Sequence, residues 1–111
     1  MTHSAHVDTF ARDHLPPRDE WPELIFELPE LAYPPRVNAA VELLDGALAR
    51  GWGDRLAVAS PEGVRWTYAE LSAHANRVAR LLTGDLGLVP GNRVLLRGPN
   101  TPWMAACWFG V

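Results

Sequence analysis

The sequence contains no lysine; all ten of its basic Lys/Arg positions are arginine. A P-loop lysine, a Schiff-base lysine and a lysine clamp on a transferring phosphate are therefore outside the chemistry of this stretch. A single cysteine, Cys107, cannot form an internal disulfide, which fits a reducing, cytoplasmic setting. The longest run free of charged or strongly polar side chains is Pro102 to Val111. A membrane-spanning helix needs about 20 such residues, so no membrane segment is expected. Asp8, Arg12 and Asp13 interrupt the opening where a secretory leader would be apolar. The arginines are scattered and the net charge is −3, which excludes a nucleic-acid-binding surface built on clustered cations.

What is present is globular material: 48% of the residues are apolar and 21% charged, in a chain long enough for one small domain. Residues 1–36 differ from the rest. They hold six of the ten prolines and seven acidic residues against three arginines. Val7 to Leu15 is expected to form a short helix stopped by Pro16–Pro17. Beyond it, Trp21, Leu24, Ile25, Phe26, Leu28, Leu31 and Tyr33 lie among prolines that forbid regular structure. So many large apolar groups do not suit a linker, and the segment reads as an arm lying on a larger body. Its acids, Asp19, Glu20, Glu23, Glu27 and Glu30, read as a solvated edge.

From residue 37 onward the pattern is that of an α/β domain. A helix is expected over Ala39–Arg50, capped by Asn38, with Val37, Val41, Leu44 and Leu48 on one face and Gly51 at its end. Leu56–Ser60 and Val64–Thr67 read as a hairpin turned at Pro61–Glu62–Gly63, with Trp66 and Val64 on one side and Arg65 on the other. Thr67 and Glu70 form a T-x-x-E capping box opening a second helix, whose apolar face is Leu71, Ala75, Val78 and Leu82. Gly84 or Gly87 ends that helix and Pro90–Gly91 marks a turn. Arg93–Arg97 reads as a strand covered on both faces. A last helix opens with Thr101 as cap and Pro102 at its first position. It is apolar all round to Val111, as if set inside a larger protein and cut in mid-helix.

Three motifs in this order carry a resemblance. Thr67–Tyr68–Ala69–Glu70–Leu71 resembles the Thr-Tyr-x-Glu-Leu near the start of adenylate-forming enzymes. Pro90–Gly91–Asn92–Arg93–Val94 resembles their Pro-Gly-Asp-Arg-Val, with Asn in place of Asp. Pro99–Asn100–Thr101–Pro102 is similar to their Pro-Asn-Ser-Pro. Phe10–Ala11–Arg12–Asp13–His14–Leu15–Pro16–Pro17, Trp21–Pro22–Glu23–Leu24 and Tyr33–Pro34 leading to Asn38–Ala39–Ala40 resemble the benzoate and 2-aminobenzoate CoA ligase branch. The resemblance implies the opening part of the large AMP-binding domain, with an incomplete sheet and flanking helices: an arm over 1–36 and the domain's start over 37–111. It implies a whole enzyme that uses ATP, Mg²⁺ and coenzyme A to turn a carboxylic acid, benzoate-like, into a thioester. An adenylation domain loading a carrier protein, and a stand-alone binding module, are the alternatives. The phosphate loop, the acidic Mg²⁺ site and the catalytic lysine of such enzymes have no counterpart here. No catalytic, cofactor-binding or metal residue is therefore assigned, and the chain alone is expected to bind no cofactor and to catalyse neither ATP–pyrophosphate exchange nor thioester formation.

Other residues invite chemistry and have plainer readings. Thr67 and Glu70 serve a helix end. Gly51–Trp52–Gly53 lies between helix and strand, the reverse of a dinucleotide fingerprint, and reads as a helix stop. His3, His6 and His14 lack a well-spaced partner set for a metal. His74 reads as surface or packing, and Cys107, between Ala106 and Trp108, as core. The five tryptophans are far apart in sequence and form no evident stacking platform.

The partner implied for the apolar arm, the strand and the last helix is the remainder of the same enzyme. The isolated chain is accordingly expected to self-associate or stay partly ordered at micromolar concentration, as read by sedimentation and NMR dispersion. A sharp, well-dispersed monomer would instead indicate a self-sufficient module.

Overall fold

The computed structural model describes residues 4–111. The chain divides into two compact units: residues up to Val37 with Val89–Arg93, and Asn38–Leu88 with Val94–Val111.

In the first unit, helix α1 spans only Phe10–Asp13. It is shorter than the expected Val7–Leu15 at both ends; ahead of it the amides of Val7 and Asp8 both donate to the Pro90 carbonyl, at 2.8 and 3.0 Å. The Asp8 carboxylate then accepts the Phe10 N–H at 2.9 Å and so closes the helix start. Single 3₁₀ turns follow at Arg18–Glu20 and Pro29–Leu31, separated by the prolines. Leu24, Ile25, Phe26, Leu28 and Tyr33 are all exposed.

In the second unit, Asn38 caps the first helical segment as expected, its Oδ1 accepting the Ala40 and Val41 amides at 2.9 and 3.2 Å. The segment opens with a π-helical turn at Val41–Asp45 and continues as α2, Gly46–Ala49. That wide turn shifts the helical phase. The buried side chains are therefore Leu44 and Ala47, while Val37, Val41 and Leu48 face outward, which corrects the expected stripe. Gly51, at φ +78°, ends the segment.

Strands β1 (Leu56–Ala59) and β2 (Arg65–Thr67) pair antiparallel, with Val58 opposite Trp66 and an irregularity between Leu56 and Val58. The hairpin closes through Ser60 N–H to the Val64 carbonyl at 2.9 Å, and Gly63 takes φ +93°. Trp66 is partly buried and Arg65 exposed, as the alternation requires; Val64 stays exposed.

Helix α3, Tyr68–Arg80, begins on the residue after β2, with Thr67 as its cap. Leu71, Ser72 and Ala75 are buried, and a second π turn at Leu81–Asp85 prolongs the helix. Gly87, at φ +63°, provides the stop rather than Gly84. Helix α4, Pro102–Gly110, packs on α3. Its Ala106 is fully buried against Leu71, Ala75 and Leu44. A Cβ at Gly110 would lie 2.6 Å from the Val78 Cβ, so this crossing needs glycine. Thr101 has the extended backbone of a cap, but its hydroxyl makes no capping bond; Pro102 at the first position removes one amide that would need one. Cys107 is only partly buried, which corrects its reading as core.

The expected strand at Arg93–Arg97 is not formed. Among the described residues the only sheet is the β1–β2 pair, so Val94–Arg97 has nothing to pair with, and Leu95 is 90% exposed. No helix among the described residues is long and apolar enough to cross a membrane.

Replacing Thr67 with alanine removes the cap acceptor and is expected to lower stability by about 1 kcal/mol, measured by thermal or urea unfolding of the chain. Unchanged stability would show that Thr67 does not hold the helix end.

Candidate functional site

The side chains most easily mistaken for catalytic ones are occupied structurally. The Glu70 carboxylate accepts the Thr67 N–H at 2.8 Å, and the Thr67 hydroxyl accepts the Glu70 N–H at 3.2 Å. The remaining amides at the start of α3 are also taken: Tyr68 donates to the Arg55 carbonyl and Ala69 to the Gly53 carbonyl, each at 3.0 Å. A helix start with its first three N–H groups paired has none left for a phosphate. Gly51–Trp52–Gly53 closes the preceding helix, with Gly51 N–H bonded to Leu48 and Trp52 N–H to Ala47.

His3 lies outside the described residues. His6 is exposed. The ring of His14 stacks on Phe10 with centroids 3.9 Å apart, and its Nδ1–H donates to the Phe10 carbonyl at 2.7 Å. Among the described residues no three His, Cys, Asp or Glu side chains stand together where they could share a metal ion.

Two aromatic assemblies emerge, the first of them concealed by sequence distance. The His74 ring sits 4.1 Å from Trp66 and 4.6 Å from Trp103, and the two indoles meet edge-on at 5.1 Å. Arg77 donates to His74 Nδ1 at 3.2 Å, leaving the ring proton on Nε2. This is packing chemistry, as expected of His74, yet it joins β2, α3 and α4. The second assembly is Trp52, whose ring carries the Arg50 and Arg55 guanidinium carbons at 4.4 and 4.9 Å. Arginines two residues before and three after a tryptophan were the available signal.

A groove of about 460 Å³ runs between the hairpin end and α4, lined by Val58, Ser60, Pro61, Thr101, Met104 and Trp108 among others. Its wall is mainly apolar. The Ser60 hydroxyl is buried and finds no aligned hydrogen bond. It faces the Glu62 carboxylate, which its own backbone N–H and that hydroxyl hold below the usual range. A carboxylate with a lowered pKa is a weak base toward the serine, so the groove offers shape rather than catalysis.

The strongest electrostatic cluster is in the first unit. Asp8 Oδ2 accepts Asn92 Nδ2 at 2.8 Å and lies 3.4 Å from the Arg93 guanidinium, which also covers the Phe10 ring at 4.3 Å. Asn92 Oδ1 in turn accepts the Val89 N–H at 2.9 Å. Gly91 has φ +97°, and a Cβ there would collide with the Asp8 carbonyl. The Phe10 N–H first, then Asn92 and Arg93, hold the Asp8 carboxyl below the ordinary carboxylate value of 3.8.

The comparisons with known proteins concern mainly the second unit. Residues 47–111 match the family described as AMP-binding enzyme, more than half of the chain. A salicyl-AMP ligase / salicyl-S-ArCP synthetase of Mycobacterium tuberculosis is 46% identical over 67 residues, covering 57% of this chain and 12% of that protein. Long-chain fatty acid transport protein 1 of Mus musculus is 32% identical over 68% of the chain and 12% of its own length. Surfactin synthase subunit 1 of Bacillus subtilis is 39% identical over 72% of the chain and 2% of its own length. The chain thus spans a small part of each relative. No solved structure matches it significantly.

A carboxyl with a depressed pKa stabilises the fold above its unfolded value, and that contribution is lost as pH falls through the folded value. The Asp8–Asn92 contact should therefore persist at neutral pH and open only below about pH 3.8, read from the Asn92 side-chain amide by NMR. Asn92→Asp would set two carboxylates face to face and open the contact at neutral pH, and Asp8→Asn in the same chain should restore it. A closed contact in the single Asn92→Asp variant would contradict this account.

Proposed function

The chain belongs to the AMP-binding enzyme family, and from that premise we propose that the whole protein activates an aryl carboxylic acid with ATP and passes it to coenzyme A. In the first step a carboxylate oxygen bonds to the α-phosphorus and pyrophosphate leaves. In the second the thiol sulfur bonds to the acyl carbon, AMP leaves, and the thiol proton passes to solvent. The 46% identity with a salicyl-AMP ligase carries the reading, since salicylate is a hydroxybenzoate. The benzoate-type resemblance of residues 10–17 and 21–24 agrees with it.

ATP and Mg²⁺ supply the phosphoryl leaving group and its charge neutralisation in such a reaction. The residues of this chain do not fit either group: there is no lysine, no metal-ligand cluster among the described residues, and no free amide at the start of α3. The role proposed for residues 38–111 is to build the scaffold that the catalytic segments stand on. The arm's apolar side chains and Leu95 are proposed to be covered by the rest of the same enzyme.

A second reading has specific support. The names of two relatives, salicyl-S-ArCP synthetase and surfactin synthase, favour a carrier-bound thiol as acceptor in place of coenzyme A.

Carboxylate-dependent ATP–pyrophosphate exchange by the whole protein tests the first step. Benzoate, 2-aminobenzoate or salicylate should exceed a long-chain fatty acid by at least about tenfold in kcat/KM. Exchange with the fatty acid alone would overturn the aryl assignment. Absence of exchange with every acid would overturn the activity itself. Thioester formation with coenzyme A against a phosphopantetheinyl carrier protein then separates the two acceptors.

A further inference from the structure

We propose that Arg50, Trp52 and Arg55 form a site for a phosphoryl oxyanion. The proposal is independent of the enzymatic reading above, since it concerns a loop that carries none of that chemistry.

The loop is held firmly. Arg50 N–H bonds to the Gly46 carbonyl at 3.2 Å, Trp52 N–H to Ala47 at 3.0 Å, and Arg55 N–H to Trp52 at 2.9 Å. From the other side, the first two amides of α3 are bonded to the Gly53 and Arg55 carbonyls. The backbone from 50 to 55 is thus tied at both ends and in the middle. On it, two guanidinium groups rest against one indole, at 4.4 and 4.9 Å from the ring centre. Both cations consequently lie within about 10 Å of each other, comparable to the Debye length at moderate salt, so their repulsion is only partly screened.

Neither cation has a carboxylate within ion-pairing distance. Among the described residues the only arginines within 4.0 Å of a carboxylate are Arg12 and Arg93. Asp54 sits between Trp52 and Arg55 in sequence yet pairs with neither. Other arginines also lack carboxylate partners, but Arg18 rests singly on Trp21, and among the described residues no other ring carries two cations. Stacking uses the flat face of a guanidinium and leaves its N–H donors free at the edge. Two such forks, already ordered, suit an acceptor with several oxygens and a double negative charge. A phosphate dianion has both, and Arg–phosphate pairs bond bidentately.

The test is titration of the whole protein with inorganic phosphate at pH 7.5, holding ionic strength constant with sodium chloride, and following the Trp52 indole N–H by NMR. A saturable shift of the Trp52 signal is expected with phosphate and not with chloride. Arg50→Gln and Arg55→Gln should each weaken binding by at least about fivefold, and the pair should abolish it. Arg65→Gln, on the exposed side of β2, should leave binding unchanged. Arg50→Lys keeps charge but loses the planar fork, and should bind more weakly than the parent while remaining folded. A shift of equal size with chloride, or equal binding by the parent and the Arg50→Lys chain, would overturn the proposal. So would tighter binding of a glutamate-rich peptide than of phosphate, which would point to an acidic protein partner.

Discussion

Thr67 is the point on which the second unit turns. It closes β2 and opens α3 with no intervening residue, and its N–H and hydroxyl both bond to Glu70. That reciprocal pair fixes the direction in which α3 leaves the hairpin. The next two amides reach the loop at Gly53 and Arg55, so the end of the preceding helix, the hairpin and α3 are locked into one corner. The buried cluster of Leu44, Leu71, Ala75 and Ala106 then has its four contributors in place, with α4 completing it. Burial at that cluster supplies the apolar driving force, but the corner decides which faces meet.

Features encoded within a few residues were legible in the sequence. The capping box, the Asn38 cap, the Gly51 stop and the Gly63 and Gly91 turns each depend on local chemistry that a residue type announces. Features that depend on distant partners were not. The amides of Val7 and Asp8 bond to the Pro90 carbonyl, some eighty positions away, and nothing near them in sequence announces it. Val94–Leu96 has the composition of an interior strand, yet composition cannot supply a partner, and the segment stays unpaired among the described residues. The Trp66–His74–Trp103 contact was hidden for the same reason, since it exists only once α4 has folded against α3. At the level of sites, the double arginine contact at Trp52 was visible as spacing but carried no meaning until the loop's rigidity was known.

The Asn that departs from the family's Pro-Gly-Asp-Arg-Val pattern also has a local reason in the first unit. Its amide donates to the Asp8 carboxylate beside Arg93, while its side-chain carbonyl accepts the Val89 N–H. An Asp offers acceptors in both directions. The departure and the acidic residue at position 8 are therefore two halves of a single arrangement.

The two π turns have a bearing on how this chain is compared with others. A turn closed from residue i to i+5 contains one residue more than an α turn, so Val41–Asp45, ahead of α2, and Leu81–Asp85, after α3, each behave as a single-residue insertion at the end of a helix. A relative lacking one of them would keep the same core positions with one residue fewer. Pairing such sequences by uninterrupted residue count would then assign core side chains on one side of the turn to solvent positions on the other. A one-residue gap placed inside the turn keeps buried positions matched with buried positions, even though Val41–Asp45 holds no glycine or proline to invite it.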